Sequence, residues 1–203
     1  MQINSILLKN FFFPAGFCSV LLWLLSALSD AGASPLNAAE RFGVVVKTAE
    51  VARQGDNYVL SADIEYQLSA RAKEALQNGV PLFWDIHIKT LQHRDYFWDT
   101  TLINTGIRYR IQYHALLNMY RVRNESSGEL YNFSSLSAAQ DAMSTIRNFQ
   151  VLDKALYVPG KRYLVGIKVT LDRDALPLPL RPIAYTNPQW YLSSDWTLWP
   201  LTK

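Results

Sequence analysis

The residue types best suited to chemistry crowd into one run, DIHIKTLQHRDYFWD, residues 85–99. His87, His93, Asp95 and Asp99 offer two imidazoles and two carboxylates, the donors that bind zinc or relay protons. Such work needs the groups to converge, and the spacing fits no helical zinc pattern. The run alternates polar with apolar residues and so reads as a strand. On that strand Asp85 and His87 share the outer face at i and i+2, which predicts a hydrogen-bonded pair. His93 falls where the strand must turn. The set is therefore read as a solvated polar face ending in a turn, and no metal ligand is assigned. A hydrolase using His87 and nearby carboxylates stays as a third functional reading.

Other catalytic patterns are missing from the sequence. No G-x-S-x-G elbow occurs, and Ser126-Ser127-Gly128 reads as a turn. There is no glycine-rich phosphate loop and no dinucleotide fingerprint. The single cysteine, Cys18, lies in an apolar N-terminal run behind Phe17, where a lipidated cysteine would need a small neighbour. A chain without Cys18 has no thiol nucleophile, disulfide or cysteine-ligated zinc. Neither catalytic residues nor a cofactor are assigned, and the expectation is a protein that is not an enzyme.

Two features suit binding instead. Arg108 and Arg110 alternate outward from one strand, with Gln112 and His114 following on the same face. Arg121 and Arg123 alternate likewise just downstream. If the two segments are neighbours, four guanidiniums crowd one surface able to take acidic protein loops, lipid headgroups or other envelope anions. Carboxylates on adjacent strands would neutralise it. Trp190, Trp196 and Trp199 near the C-terminus could line an aromatic groove for a small ligand; the plainer expectation is that they cap the core.

These side chains need a scaffold, and period-two alternation supplies it. In YVLSADIEYQL, Leu60, Ala62, Ile64, Tyr66 and Leu68 share one face, and Gly55-Asp56-Asn57 before them reads as a hairpin turn. Leu82, Trp84, Ile86 and Ile88 form the inward face of a second strand; Ile107, Tyr109, Ile111 and Tyr113 form that of a third. KRYLVGIKVTLD is a late strand. SARAKEALQNG reads as a helix capped by Ser69 and ended by Gly79. SSLSAAQDAMSTIRNF reads as a second helix carrying Ile146, with Ser137 and Gln140 as a capping box. About eight strands with two short helical insertions predict a mainly β chain, an antiparallel β-sandwich of Ig-like or related type, with a half-open barrel as the alternative. In LPLPLRP, Pro177, Pro179 and Pro182 remove three amide donors and predict an extended, polyproline-like edge segment packed through Leu176, Leu178 and Leu180.

The N-terminus bounds the location. Lys9, the apolar run of residues 11–28 and the Ala31-Gly32-Ala33 site make a signal peptide over residues 1–33. An uncleaved anchor is the rival reading. A tether over residues 34–41 and one domain over 42–203 follow. The 203 residues are 49% apolar, enough for a substantial core, and the net charge of +3 is too small to imply nucleic acid.

The strand DNYVLSADIEYQLS, the stretch YHALLNMYRV, and LPLPLRP followed by WYLSSDWTLW resemble a family of exported proteobacterial proteins catalogued only as a domain of unknown function. The resemblance spans nearly all of the mature chain. It implies no activity and no catalytic residues. It does imply an envelope setting, since members are often encoded beside a membrane sensor kinase and response regulator of the nitrogen-regulation type. The sequence thus points to an exported, periplasmic or membrane-proximal binding module for a protein partner, such as a sensor kinase. The alternative is a carrier or sensor of a small amphiphile.

Overall fold

The computed structural model describes residues 42–94 and 98–201. The expected signal peptide over 1–33 and tether over 34–41, together with Cys18 and Asp95, lie outside the described residues. No helix among the described residues is long and apolar enough to cross a membrane.

The described residues are mainly β, with nine strands in two antiparallel sheets. Strands β1 (Gly43–Gln54), β2 (Asn57–Gln67) and β7 (Thr145–Asp153) form one, in the order β1-β2-β7. The other has the order β6-β5-β4-β3-β8-β9. It comprises β3 (Leu82–Gln92), β4 (Thr100–His114), β5 (Met119–Asn124), β6 (Leu130–Phe133), β8 (Tyr163–Leu171) and β9 (Thr197–Pro200). Short helices α1 (Ala70–Gln77), α2 (Leu136–Ser144) and α3 (Arg181–Thr186) join the strands.

Alternation decides what each strand hides. Leu60, Ala62, Ile64, Tyr66 and Leu68 are buried as expected, and so are Leu82, Trp84, Ile86 and Ile88. Val165, Ile167 and Val169 of β8 join the same apolar cluster. The sheets meet directly. The Tyr66 ring on β2 stands edge-on to Trp84 on β3, centroids 5.0 Å apart. Thr90 on β3 is fully buried, and its hydroxyl donates to the Val151 carbonyl on β7 at 2.6 Å. The Tyr66 hydroxyl reaches the Met143 carbonyl. Burial, reinforced by the nearby Tyr109, pushes the Tyr66 phenol well above its ordinary range, so it stays a neutral donor.

Helix α1 starts at Ser69, whose hydroxyl accepts from the Ala72 amide at 3.2 Å. Gly79 follows with φ +82°, a left-handed turn that favours glycine.

The second helix is shorter than its periodicity implies. It ends at Ser144, and TIRNFQVLD becomes β7, with Ile146 buried on that strand. β-branched Thr145 and Ile146 suit a strand, and the open edge of β2 offers a ladder. The cap is Ser135, accepting from the Ala138 amide. Gln140 instead donates to the Tyr66 carbonyl, so Ser137 and Gln140 make no capping box.

The proline segment is also different. It turns rather than runs extended. The Leu180 amide bonds to the Pro177 carbonyl, and α3 begins at Arg181 with Pro182 in its first turn, where a missing amide costs nothing. Leu176 is buried, Leu180 half-buried, and Leu178 is 73% exposed, so the three leucines do not share a side. Arg173 pins the segment, its guanidinium 4.6 Å from the Tyr185 and Tyr191 ring centres. Arg181 donates to the Leu176 carbonyl at 2.6 Å.

Two outcomes follow. Trp84→Ala should cost about 3–5 kcal/mol in urea unfolding, the usual loss for an emptied aromatic core site; a change under about 1 kcal/mol would contradict the packing described. The second concerns acid. Hydrogen bonds from Arg147 and Thr48 hold the Asp63 carboxyl below its ordinary value, Lys47 does so for Glu65, and Lys154 for Asp56. Lowered folded values mean that this stability is present above the unfolded carboxylate range, about pH 4, and is lost as pH falls below it. Urea midpoints taken from pH 6 downward should therefore drop below about pH 4, and the Asp63→Asn variant should drop less.

Candidate functional site

The register assembles the predicted arginines on one face. Asp85 on β3 lies opposite Arg108 on β4, and Phe83 opposite Arg110. Arg110 in turn faces Arg123 on β5, and Gln112 faces Arg121. Arg123 faces Leu130 on β6, and Arg121 faces Asn132. Residues directly opposite in an antiparallel pair share a face. All four arginines therefore project from the side of the six-stranded sheet that turns away from the core.

Neighbouring carboxylates engage three of them. Arg108 lies between two acids: one terminal nitrogen reaches both Asp85 oxygens at 3.0 and 3.2 Å, and the other reaches Asp172 at 2.5 Å. Its guanidinium also sits 5.0 Å from the Phe83 ring centre. Partial burial alone would lower the Arg108 pKa, but the bond to Asp172 and the charge of Asp85 outweigh it and raise the value. Asp172 is itself fixed, because its other oxygen accepts from the Asp174 and Ala175 amides. Glu125 lies between Arg110 and Arg123, at 3.1 and 3.5 Å. Arg121 is held by an amide instead, donating to Asn132 at 3.2 Å.

The other polar candidates scatter. Asp85 is taken by Arg108, and the His87 ring meets the Thr170 hydroxyl at 3.3 Å, so the expected Asp85–His87 pair does not form. His93 pairs with Asp99 at 2.8 Å. It lies six residues beyond His87, about 20 Å of extended chain, so the imidazoles do not converge. Among the described residues no three His, Cys, Asp or Glu side chains form a metal cluster. His114 closes β4 opposite Met119, and its buried Nε2 has no hydrogen-bond partner among the described residues. Beside Arg108, a shallow hollow of about 270 Å³ touches Asp85, His87, Gly106 and Ser126.

The three tryptophans part company. Trp196 lies on the outer sheet face, with the Lys89 ammonium 3.9 Å from its ring centre. Trp199 on β9 faces Val165 and packs half-buried against the core. Trp190 is 3% exposed and borders a larger cavity of about 500 Å³. Helices α1 and α3 wall this cavity. Ala75, Val80, Leu180 and Ile183 supply its apolar lining, and Arg71, Glu74, Asn78 and Asn187 its polar side chains. The Ser69 hydroxyl secures it, donating to the Gln189 carbonyl at 2.7 Å. Sequence reasoning missed this groove because one of its walls is the helix hidden in the proline segment.

A family model described as domain of unknown function, DUF4390, matches residues 42–200, from just before β1 to the last residue of β9. The chain belongs to the DUF4390 family. No curated protein and no solved structure matches it. What the DUF4390 domain can do therefore rests on its own surfaces: a sheet face of ion-paired arginines and an apolar groove between two helices.

The arginines should behave differently when removed. Arg108→Ala strands two carboxylates beside each other and should cost about 1–3 kcal/mol in urea unfolding. Arg121→Ala should fall within about 0.5 kcal/mol of the parent, as for an ordinary surface change. Equal effects would show that Arg108 is not the structural member of the set.

Proposed function

We propose that this domain is a non-enzymatic module, exported to the cell envelope, that binds an acidic surface of a protein partner. The carrying observation is the register that gathers Arg108, Arg110, Arg121 and Arg123, a set whose ion pairs among the described residues are with three carboxylates, Asp85, Asp172 and Glu125. One cation is left in excess, and Arg121, on an amide, can exchange it for a carboxylate. Leu130, 44% exposed, sits across from Arg123 and adds apolar contact beside the charges. Arginine beside an apolar anchor is a common centre of protein interfaces. The two layers, read as a β-sandwich, supply a rigid support. The signal-like N-terminus and the family resemblance support the envelope setting, and a membrane sensor kinase is the favoured class of partner.

The structure sharpens the test. Arg108 should be left in place because it stabilises the sheet. Arg110→Ser, Arg121→Ser and Arg123→Ser together should abolish capture of the partner in a cross-linking pull-down from cells, with the thermal midpoint close to that of the parent. Undiminished capture would discard this surface.

The groove favours a second reading, the carriage of a small amphiphile. About 500 Å³ is room for one medium acyl chain, and the apolar lining beside Arg71 suits an anionic head. Native mass spectrometry of freshly purified protein should then show a lipid adduct that Ile183→Asp removes. Bare protein in both preparations would end this reading.

A further inference from the structure

The connection between β4 and β5 is built against the habits of turns. Tight turns favour Gly, Asn, Asp and Ser, yet this one reads Ala115-Leu116-Leu117-Asn118. Leu116 is fully exposed and Leu117 is 61% exposed. The tip is nevertheless braced. The Leu117 amide bonds to the His114 carbonyl and the Asn118 amide to the Ala115 carbonyl. Asn118 takes the left-handed conformation with φ +49°. The Tyr113 hydroxyl donates to the Asn118 side chain at 2.7 Å, and the Tyr113 and Tyr120 rings pack with centroids 4.9 Å apart. Two leucines are thus held out on a rigid hairpin, and the fold makes no use of them.

Their position suggests a use. Gly43 pairs with Gln67, so the chain enters β1 at the end of the strands where β2 finishes. Ser69 starts α1 there, and the Gln112 side chain bonds to the Gly79 carbonyl just past the end of α1. The hairpin tip begins at Ala115, three residues after Gln112. The entry point and the leucines therefore share one end of the molecule. Phe42, exposed at the entry, and Ile183, on α3 beside α1, add apolar surface there, while α1 presents two exposed cations, Lys73 and Arg71, the latter ion-paired with Glu74. The residues preceding Phe42 include the 18-residue apolar run of residues 11–28.

We propose that this end is a membrane-facing surface. Leu116 and Leu117 dip into the interfacial layer of a phospholipid bilayer, and Arg71 and Lys73 lie against anionic headgroups. An apolar tip flanked by cations is the pattern of a peripheral membrane contact. It orients the domain with its arginine-bearing sheet face upright, free to meet a membrane-bound partner.

The test uses the full chain in vesicles of phosphatidylethanolamine and phosphatidylglycerol. Cys18→Ser removes the native thiol, and an environment-sensitive fluorophore is placed by Leu116→Cys or, as a control at the far end of β4, by Trp98→Cys. The expected result is a blue-shifted emission at position 116 that spin-labelled lipids quench, with neither effect at 98. Absence of quenching at 116, stronger quenching at 98, or failure of the chain to float with the vesicles would each overturn the proposal. Leu116→Ser with Leu117→Ser should leave the thermal midpoint unchanged while raising the exchange of amides around Asn118 in the vesicle-bound state. Unchanged exchange would also overturn it.

Discussion

The contact of Tyr66 with Trp84 holds the two layers in register. Each ring belongs to a different sheet, and each is buried. Offset or edge-on aromatic pairs contribute directional energy beyond area burial. The Thr90 hydroxyl adds a buried hydrogen bond between the same layers. With those faces committed inward, the pleat leaves no choice for the others. Asp85, flanked by Trp84 and Ile86, must face out, and the register of β3 with β4 sets Arg108 opposite it.

The outer face is consequently ordered by what it needs to satisfy. Arg108 answers two carboxylates on different elements, one on β3 and one just past β8. It ties the end of β8 to the middle of the sheet. Glu125 does the same for Arg110 and Arg123 from the turn after β5. Such partly exposed ion pairs contribute modestly one by one. Their larger consequence is geometric: they fix long side chains that would otherwise sample many rotamers. A face prepared in this way loses less entropy on meeting a partner than a set of free arginines would.

The segment after β8 shows how local rules and packing combine. Three prolines exclude it from the interior of a sheet, and the chain finds another solution. Arg173 between two tyrosines, Leu176 in the core and Pro182 in a helical first turn fold it back onto the molecule. That return creates α3 and with it the groove beside α1. The apolar groove and the exposed hairpin leucines occur toward the same end of the strands, whereas the arginines cover a side of the sheet. The surface is therefore divided by chemistry as well as by direction.

Much of this was legible in the residues themselves. Alternation is a short-range property, so β2, β3 and β8 and their buried faces could be read directly, as could the cap at Ser69. The pairing of Arg110 with Arg123 could be anticipated only as a condition, because strand order is a long-range choice. Thr145 and Ile146 carried a helical period and a β propensity together, and the unpaired edge of β2 decided between them. The prolines of residues 177–182 correctly excluded a central strand, but not the turn and helix that tertiary anchors at Arg173 and Leu176 induce. What the sequence alone determined is which faces are hidden, since that depends on neighbours one or two residues away. Which carboxylate meets which arginine, and that a groove exists at all, depended on segments brought together from distant parts of the chain, and only the packed structure could decide it.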